Sequence, residues 1–200
     1  MAPATTRSIE GERAQRIVDA MRSSVARRGV AGSTFDHVAR EAGVSRGLLH
    51  YYFGTKEQLL AEVVRRDAAV RIALLREHLA RATDADEIIE VLVASLRATL
   101  RDDPEFMTVL FELFALARRQ PEIASEVRAL TASMRAEVSA ALAELDRDGA
   151  IQLAVAADTV ADVLFAVGDG AALRLLADPD RDPAPLLEAC GVAARALLSR

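Results

Sequence analysis

A group of polar side chains suited to contacting nucleic acid lies close together near the start of the chain. The pattern of apolar positions leaves Ser45, Arg46, Gly47, His50 and Tyr51 on one side of a predicted short helix. Hydroxyl groups, a guanidinium and flat polar rings can donate hydrogen bonds to phosphates and base edges, and a glycine lets the backbone approach closely. We therefore interpret this side as a candidate major-groove surface.

The segment that must position this surface has the arrangement of a helix-turn-helix. A short helix capped by Ser33 or Thr34 is followed by a turn at Gly43, and Ser45 caps the next short helix. Ala39 is small where the two helices must cross, and glycine suits a turn that needs a positive φ. The inward residues are predicted to be Phe35, Val38, Ala39 and Ala42 of one helix, and Val44, Leu48, Leu49, Tyr52 and Phe53 around the other.

The rest of the chain also favours helix. About a fifth of the residues are alanine, leucine, arginine and glutamate are abundant, and long alternating strand patterns are missing. We expect an all-α fold, with each helix bounded by a capping residue, a glycine or a proline. The predicted helices are 12–28, 33–42, 45–53, 55–81, 84–101, 104–120, 121–149, 154–177 and 185–198.

The segment from Ser33 to Leu60 resembles the DNA-binding signature of the TetR family of bacterial transcriptional regulators. The resemblance includes the turn 42–45, the aromatic ending 51–53 and the helix opening 55–57, and it covers roughly residues 9–60. The remaining residues, about 140, match the family only in being helical. The resemblance implies an N-terminal three-helix DNA-binding domain, residues 1–56, and a C-terminal six-helix bundle, residues 57–200, that binds a ligand and dimerises.

The resemblance also implies which side chains contact DNA. Thr34 and Ser45 match helix starts that contact phosphates, and residues 46–48 match the groove-facing start of the recognition helix. His50 and Tyr51 match neighbours of phosphates or bases. Lys56, the only lysine, matches a residue that holds the DNA backbone. The implied contacts are Thr34, Ser45, Arg46, Gly47, Leu48, His50, Tyr51 and Lys56. The chain departs from the family pattern at Asp36, where many members carry arginine, and in the order of His50 and Tyr51.

A ligand cavity is one of two interpretations of the sixth predicted helix. The helix is apolar on nearly all sides and holds half of the phenylalanines, which places it in the middle of a bundle. Its side chains either fill a core or, with residues of other helices, line a cavity for a small molecule. The candidate cavity residues are Phe106, Met107, Phe111, Phe114, Met134 and Phe165.

The eighth predicted helix is apolar on two sides and therefore needs two partners. The chain's own core supplies one partner, and a second subunit would supply the other. The ninth predicted helix has an apolar side that a second subunit would cover in the same way. We predict a four-helix homodimer interface formed by Val160, Leu164, Val167, Ala171, Leu175, Leu186, Cys190, Ala193 and Leu197. A two-fold dimer would place its recognition helices about 34–36 Å apart, which matches adjacent major grooves.

The net charge of −5 is an average over two unlike parts. Residues 1–56 carry nine basic and five acidic side chains, a net +4, which leaves −9 for residues 57–200. Because the basic part carries the helix-turn-helix, the acidic total does not argue against nucleic acid as a partner. The distribution supports a boundary near residue 56, with the acidic part turned away from DNA.

The sequence lacks the residues that several other classes of function require. A single cysteine excludes an intrachain disulfide and a Cys-based zinc site, and no Glu-x-x-His pair, Gly-rich phosphate loop or Ser-x-x-Lys motif occurs. We therefore expect no catalytic residues, no metal and no cofactor. No run of about 18 residues is apolar and uncharged, and the N-terminus lacks a signal-peptide pattern. We expect a cytoplasmic protein with no membrane partner.

These features predict a ligand-responsive transcriptional repressor. It would bind a pseudo-palindromic, double-stranded operator as a homodimer and be released by a small-molecule effector. One alternative is the same fold acting as an activator or under the control of a protein partner. The other is a helical enzyme or binding module with no role at DNA.

Overall fold

The structure, a computed structural model, describes the backbone of residues 4–198 and the side chains of residues 11–198. This part of the chain is helical apart from short connections, which confirms the all-α prediction. Helices α2 to α9 begin and end within three residues of their predicted bounds. The helices are α1 (Ala4–Gly32), α2 (Phe35–Ala42), α3 (Arg46–Phe53), α4 (Lys56–Leu79), α5 (Ala85–Asp102), α6 (Pro104–Ala117), α7 (Pro121–Arg147), α8 (Ala157–Ala177) and α9 (Ala184–Leu198).

The first helix differs most from its prediction. It begins at Ala4 rather than at residue 12. Gly29 was expected to stop it, and Gly29 does leave the helical conformation, with φ 69° and ψ 172°. A last short turn then reaches Gly32. The positive φ is tolerated because glycine has no Cβ.

The chain forms two compact units. The first comprises the residues up to Asp67 together with Val109–Val127, and the second comprises Ala68–Thr108 and the residues from Arg128 onwards. Helices α4, α6 and α7 therefore contribute to both units. The domain boundary at residue 56, inferred from charge and resemblance, stays a prediction.

The first unit is built on the apolar stripes that the sequence indicates. On α1 the stripe Ile17, Ala20, Met21, Ser24 and Val25 is buried, and so is the predicted stripe of α2, from Phe35 to Ala42. On α3 only Leu49 is fully buried, while the other predicted inward side chains, Val44, Leu48, Tyr52 and Phe53, are half-buried. Eight residues make barely two helical turns, so α3 is held by this packing and by its caps rather than by its own helical stability.

The ends of these short helices are set by capping residues. Thr34 caps α2 by accepting a hydrogen bond from the His37 amide, and Ser45 caps α3 by accepting one from the Leu48 amide. Between them Gly43 lies in the left-handed region, φ 67° and ψ 36°, and its amide bonds back to α2.

The start of α4 has the predicted capping box. Thr55 and Gln58 exchange hydrogen bonds of 3.2 Å, each from a backbone amide to the other's side chain.

The core of the second unit joins five helices. Side chains of α4, α5, α7, α8 and α9 pack with Ile151 into one buried cluster, with Phe165 partly buried against it. Ile88, Ile89, Val138 and Leu142 are almost entirely inaccessible to solvent. Burial of this many large apolar side chains is the main force that holds such a bundle together.

No helix in the described part of the chain is long and apolar enough to cross a membrane.

The carboxyl group of Asp169 is poorly solvated. Asp169 lies on α8 between two glycines and is half-buried. Burial disfavours its ionised form and raises the pKa of the carboxyl group from 3.8 to about 6.

This shift predicts a pH dependence of stability. Between about pH 4 and pH 6 the folded chain holds the Asp169 proton more tightly than the unfolded chain, so the free energy of unfolding should fall as the pH rises. Asp169→Asn removes this contribution. Urea unfolding at pH 7.5 should find the variant more stable than the wild type, by at most about 3 kcal/mol, with the difference vanishing near pH 4.

The matched control is Asp180→Asn, which removes a carboxylate from an exposed turn. It should leave the pH profile of wild type unchanged. An Asp169→Asn profile that runs parallel to wild type from pH 4 to pH 7.5 would contradict the assignment.

Candidate nucleic-acid interface and ligand cavity

The starts of α2 and α3 present hydroxyl groups to solvent. Thr34 and Ser45 are exposed, and each accepts a capping hydrogen bond of 3.3 Å through its side-chain oxygen. A hydroxyl that accepts in this way keeps its own hydrogen for donation to another acceptor, such as a phosphate oxygen. Capping and DNA contact are therefore compatible roles for both residues.

The first turn of α3 carries the predicted groove-facing residues. Arg46 and Gly47 are exposed, whereas Leu48 is half-buried and contributes to packing as well. The Arg46 guanidinium lies 3.4 Å from both carboxylate oxygens of Asp36, a residue in the first turn of α2. The two helix starts are thus linked by an exposed ion pair.

The two rings of the interface have different surroundings. Tyr51 is 78% exposed to solvent. His50 packs edge-on against Phe35, with ring centroids 4.8 Å apart, and its Nδ1 lies 2.9 Å from the Gly54 carbonyl oxygen. An oxygen at that distance makes Nδ1 the donor, so His50 is oriented from within the unit while Tyr51 is free to reach a partner.

Lys56 is also held within the first unit. It is half-buried, and its ammonium group donates a hydrogen bond to the Val30 carbonyl oxygen at the end of α1. This bond connects the start of α4 to the last turn of α1. Because an ammonium group has three hydrogens, the contact leaves donors for the DNA backbone, which is the role predicted for Lys56.

A cavity of about 630 Å³ lies between α4 and α5 in the second unit. Its apolar wall includes Leu74, Leu75 and Val91, and its polar wall includes Arg71, His78 and Glu90. This volume is within the range of small-molecule sites in proteins.

Arg71 connects this cavity to three elements. Its guanidinium donates to Thr99 and to Asp103, both at 2.7 Å, and lies 4.3 Å from the centre of the Phe106 ring. The Nε hydrogen is buried and has no hydrogen-bond partner among the described residues. Arg71 therefore ties α4 to the α5–α6 corner while its Nε donor stays unsatisfied.

The predicted cavity residues lie elsewhere, and none of them lines the α4–α5 cavity. Phe111 and Phe114 belong to the first unit, with ring centroids 6.4 Å apart, and the other four belong to the second unit. Phe106 and Met107 are buried, whereas Phe111, Phe114, Met134 and Phe165 are half-buried. Their role in ligand binding stays a prediction.

The residues predicted for the dimer interface divide by burial. Val160, Leu164, Ala171 and Leu175 are buried in the single chain, Val167, Leu186 and Cys190 are half-buried, and Ala193 and Leu197 are exposed. A different stripe of α8 is both apolar and exposed. It consists of Val163, Ala166, Gly170, Leu173 and Ala177.

That stripe repeats at alternating steps of three and four residues, which is the spacing of a helix–helix seam. On α9 the exposed apolar side chains include Val192, at 60%, and Leu197, at 39%.

Within residues 11–198 no cluster of three or more His, Cys, Asp or Glu side chains is placed to hold a metal ion. The starts of α2 and α3 instead present the hydroxyl groups of Thr34 and Ser45 and the guanidinium of Arg46 as hydrogen-bond donors. They suit a ligand with many acceptor oxygens, such as a nucleic-acid backbone.

Comparison with known proteins agrees with this geometry. Residues 17–63 match the model of the bacterial regulatory proteins of the tetR family, and residues 87–199 match the model of the BetI-type transcriptional repressor C-terminal part. The chain belongs to the TetR family. It is therefore a DNA-binding transcriptional regulator with a helix-turn-helix, as the sequence predicted.

One sequence relative and two proteins of similar fold each match most of the chain. The transcriptional regulator BetI of Agrobacterium fabrum is 30% identical over 161 residues, which are 78% of this chain and 77% of that protein. A putative regulator from Saccharomonospora viridis, solved in complex with choline, has a TM-score of 0.80 at 20% identity and covers 95% of this chain and 99% of its own. FadR of Bacillus subtilis, solved with stearoyl-CoA, has a TM-score of 0.75 at 20% identity and covers 92% and 97%.

The relatives are named as transcriptional regulators, which confirms the expectation that this TetR-family chain is not an enzyme.

Two polar contacts between helices were not predicted from the sequence. Arg71 shows no local pattern, since its partners are 28 and 32 residues away. The Asp36–Arg46 link does have a signal in the sequence, since a carboxylate and a guanidinium stand at the starts of two adjoining helices.

Proposed function

We propose that this TetR-family chain is a repressor that binds a pseudo-palindromic operator as a homodimer and is released by a small molecule. The observation that carries the proposal is the exposed surface at the starts of α2 and α3, where Thr34, Ser45, Arg46 and Tyr51 leave donors available. The match of residues 87–199 to the BetI-type repressor model supports repression in particular. A regulator of chromosomal DNA acts where that DNA is, so we place it in the cytoplasm.

DNA binding should depend steeply on salt. With about three basic contacts in each half-site, the slope of log affinity against log salt should be near −5. Arg46→Ala combined with Lys56→Ala should weaken binding by at least about 100-fold and flatten this slope, because phosphate and base contacts are lost in both half-sites. The measurement is a salt titration by fluorescence anisotropy, on duplexes enriched from a random library.

The control for this pair is Arg118→Ala with Arg119→Ala, which removes the same charge from exposed positions outside residues 1–56. Lys56→Ala also removes the hydrogen bond to Val30, so thermal unfolding is needed to check that the variant is folded. If the Arg46 and Lys56 variant binds as tightly as wild type, the assignment of these two residues is wrong.

We propose that the homodimer forms through α8 and α9, with the exposed stripe of α8 extending the interface predicted from the sequence. The small residues Ala166 and Gly170 at the centre of that stripe would let two helices approach closely. A charge placed in such an interface occurs twice in a two-fold dimer and is left without a partner.

Leu173→Glu with Val192→Glu should therefore raise the dimer dissociation constant by at least about 100-fold. Sedimentation velocity over a concentration series measures the change. Val155→Glu, at a residue that is 54% exposed but precedes α8, is the control and should remain dimeric. A double variant that sediments like wild type would place the interface on another surface.

We propose that the effector acts through α4. This helix begins in the first unit at Lys56 and continues into the second unit, where Arg71 ties it to α5 and α6. A molecule bound between α4 and α5 would shift α4 and change the spacing of the two recognition helices. A coupling of about 1–3 kcal/mol corresponds to a loss of operator affinity of roughly 5- to 150-fold.

Choline and stearoyl-CoA are the first compounds to test, because two regulators of the same fold were solved with them. A compound that acts in the α4–α5 cavity should weaken operator binding by at least about fivefold. Ala94→Leu, which fills part of the cavity, should remove this response and leave operator affinity without the compound unchanged. Ala140→Leu, at an exposed position of α7, is the control.

A response that survives Ala94→Leu unchanged would exclude the α4–α5 cavity as its site. Unchanged operator affinity at saturating concentrations of both compounds would exclude them as effectors.

A reporter gene placed beside the operator separates repression from activation.

A further inference from the structure

The ion pair between Asp36 and Arg46 lies at the centre of the candidate DNA surface. The Arg46 Nη1 atom is 3.4 Å from both carboxylate oxygens, and the two side chains are 59% and 60% exposed. Asp36 follows Thr34 by two residues, and Arg46 follows Ser45 directly. The pair therefore joins the two helix starts whose hydroxyls are predicted to contact phosphates.

A carboxylate in this position needs an explanation, since it repels the phosphates of an approaching duplex. An ion pair this exposed contributes little to folding stability because solvent screens it. The first turn of a helix favours an acidic residue through the helix dipole, which accounts for an acid at Asp36. The dipole does not explain why an arginine of the neighbouring helix is held against the Asp36 carboxylate.

We propose that Asp36 is a specificity-determining residue of the DNA interface that acts by positioning Arg46. Its carboxylate holds Nη1 and leaves the Nη2 and Nε hydrogens of the guanidinium for a base edge, such as the O6 and N7 acceptors of guanine. The same negative charge keeps Arg46 from collapsing onto the nearest phosphate, where it would bind every sequence alike.

The proposal rests on the proposed function, because it requires DNA at this surface. It predicts a change in DNA binding that differs from a general charge effect. Removing an acidic group from a DNA interface usually strengthens binding to all sequences. Loss of a positioning carboxylate should also reduce discrimination between sequences, since Arg46 is then free to choose phosphates.

A second ion pair of the same unit supplies a matched control. Glu41, on α2, accepts a hydrogen bond from Arg27 of α1, and this bond lowers the pKa of its carboxyl group. Glu41→Gln and Asp36→Asn each remove one negative charge from an arginine–carboxylate pair whose carboxylate lies on α2. Only the Asp36 pair involves a residue of the recognition helix.

The experiment compares wild type, Asp36→Asn, Asp36→Glu and Glu41→Gln on two probes. These are a duplex enriched by wild type from a random library and an unrelated duplex of the same length, each titrated at several salt concentrations. Thermal unfolding of each variant checks that it is folded.

We expect Asp36→Asn to bind the unrelated duplex at least about fivefold more tightly and with a steeper salt dependence, as Arg46 turns to phosphate. The ratio of affinities for the enriched and unrelated duplexes should fall by at least about tenfold. Asp36→Glu keeps the charge and should restore most of the ratio. Glu41→Gln should leave the ratio within about twofold of wild type.

Two results would overturn the proposal, and a third would reject the proposed function beneath it. The first is an Asp36→Asn ratio equal to that of Glu41→Gln, which would reduce Asp36 to a general charge effect. The second is an equal loss of discrimination when Asp36→Asn is made in an Arg46→Ala background, since Asp36 would then not act through Arg46. The third is a wild type that enriches no duplex at all, which would instead reject the proposed function on which this inference depends.

Discussion

The tight left-handed turn at Gly43 is the constraint on which the candidate DNA-binding surface depends. It reverses the chain between two eight-residue helices, and neither helix is long enough to be stable alone. The turn lets α2 bury Phe35 and Val38 against α1 while α3 buries Leu49. With those apolar sides committed to the interior, the opposite side of α3 has to face solvent. The donors at its start are exposed for that reason.

Around this turn the polar groups divide into those that hold the unit together and those that remain available. His50 and Lys56 are bound to backbone oxygens at Gly54 and Val30, so they stiffen the connections of α3 to α4 and of α4 to α1. Tyr51, Thr34 and Ser45 keep free donors at the surface. Backbone contacts that fix His50 and Lys56 reduce the side-chain freedom that these two residues would lose on binding DNA.

In the second unit, Arg71 links α4 to the corner between α5 and α6 and borders the α4–α5 cavity. The helix that starts beside the DNA surface is therefore the helix that carries a wall of the cavity. In the proposed mechanism, this helix is the element through which a bound molecule would alter operator affinity.

The sequence alone was sufficient for the helices, their caps, the helix-turn-helix and the family, because these depend on local patterns. Thr34, Gly43, Ser45 and Thr55 act on residues at most five positions away. The tertiary structure alone decided which stripe of α8 is buried in the chain's own core and where a cavity opens. It also decided that Arg71 binds Thr99 and Asp103. An apolar helix face shows that it needs a partner but not which one, since burial in the core and burial in an interface favour the same residues. That choice is made by long-range packing, which no local pattern encodes.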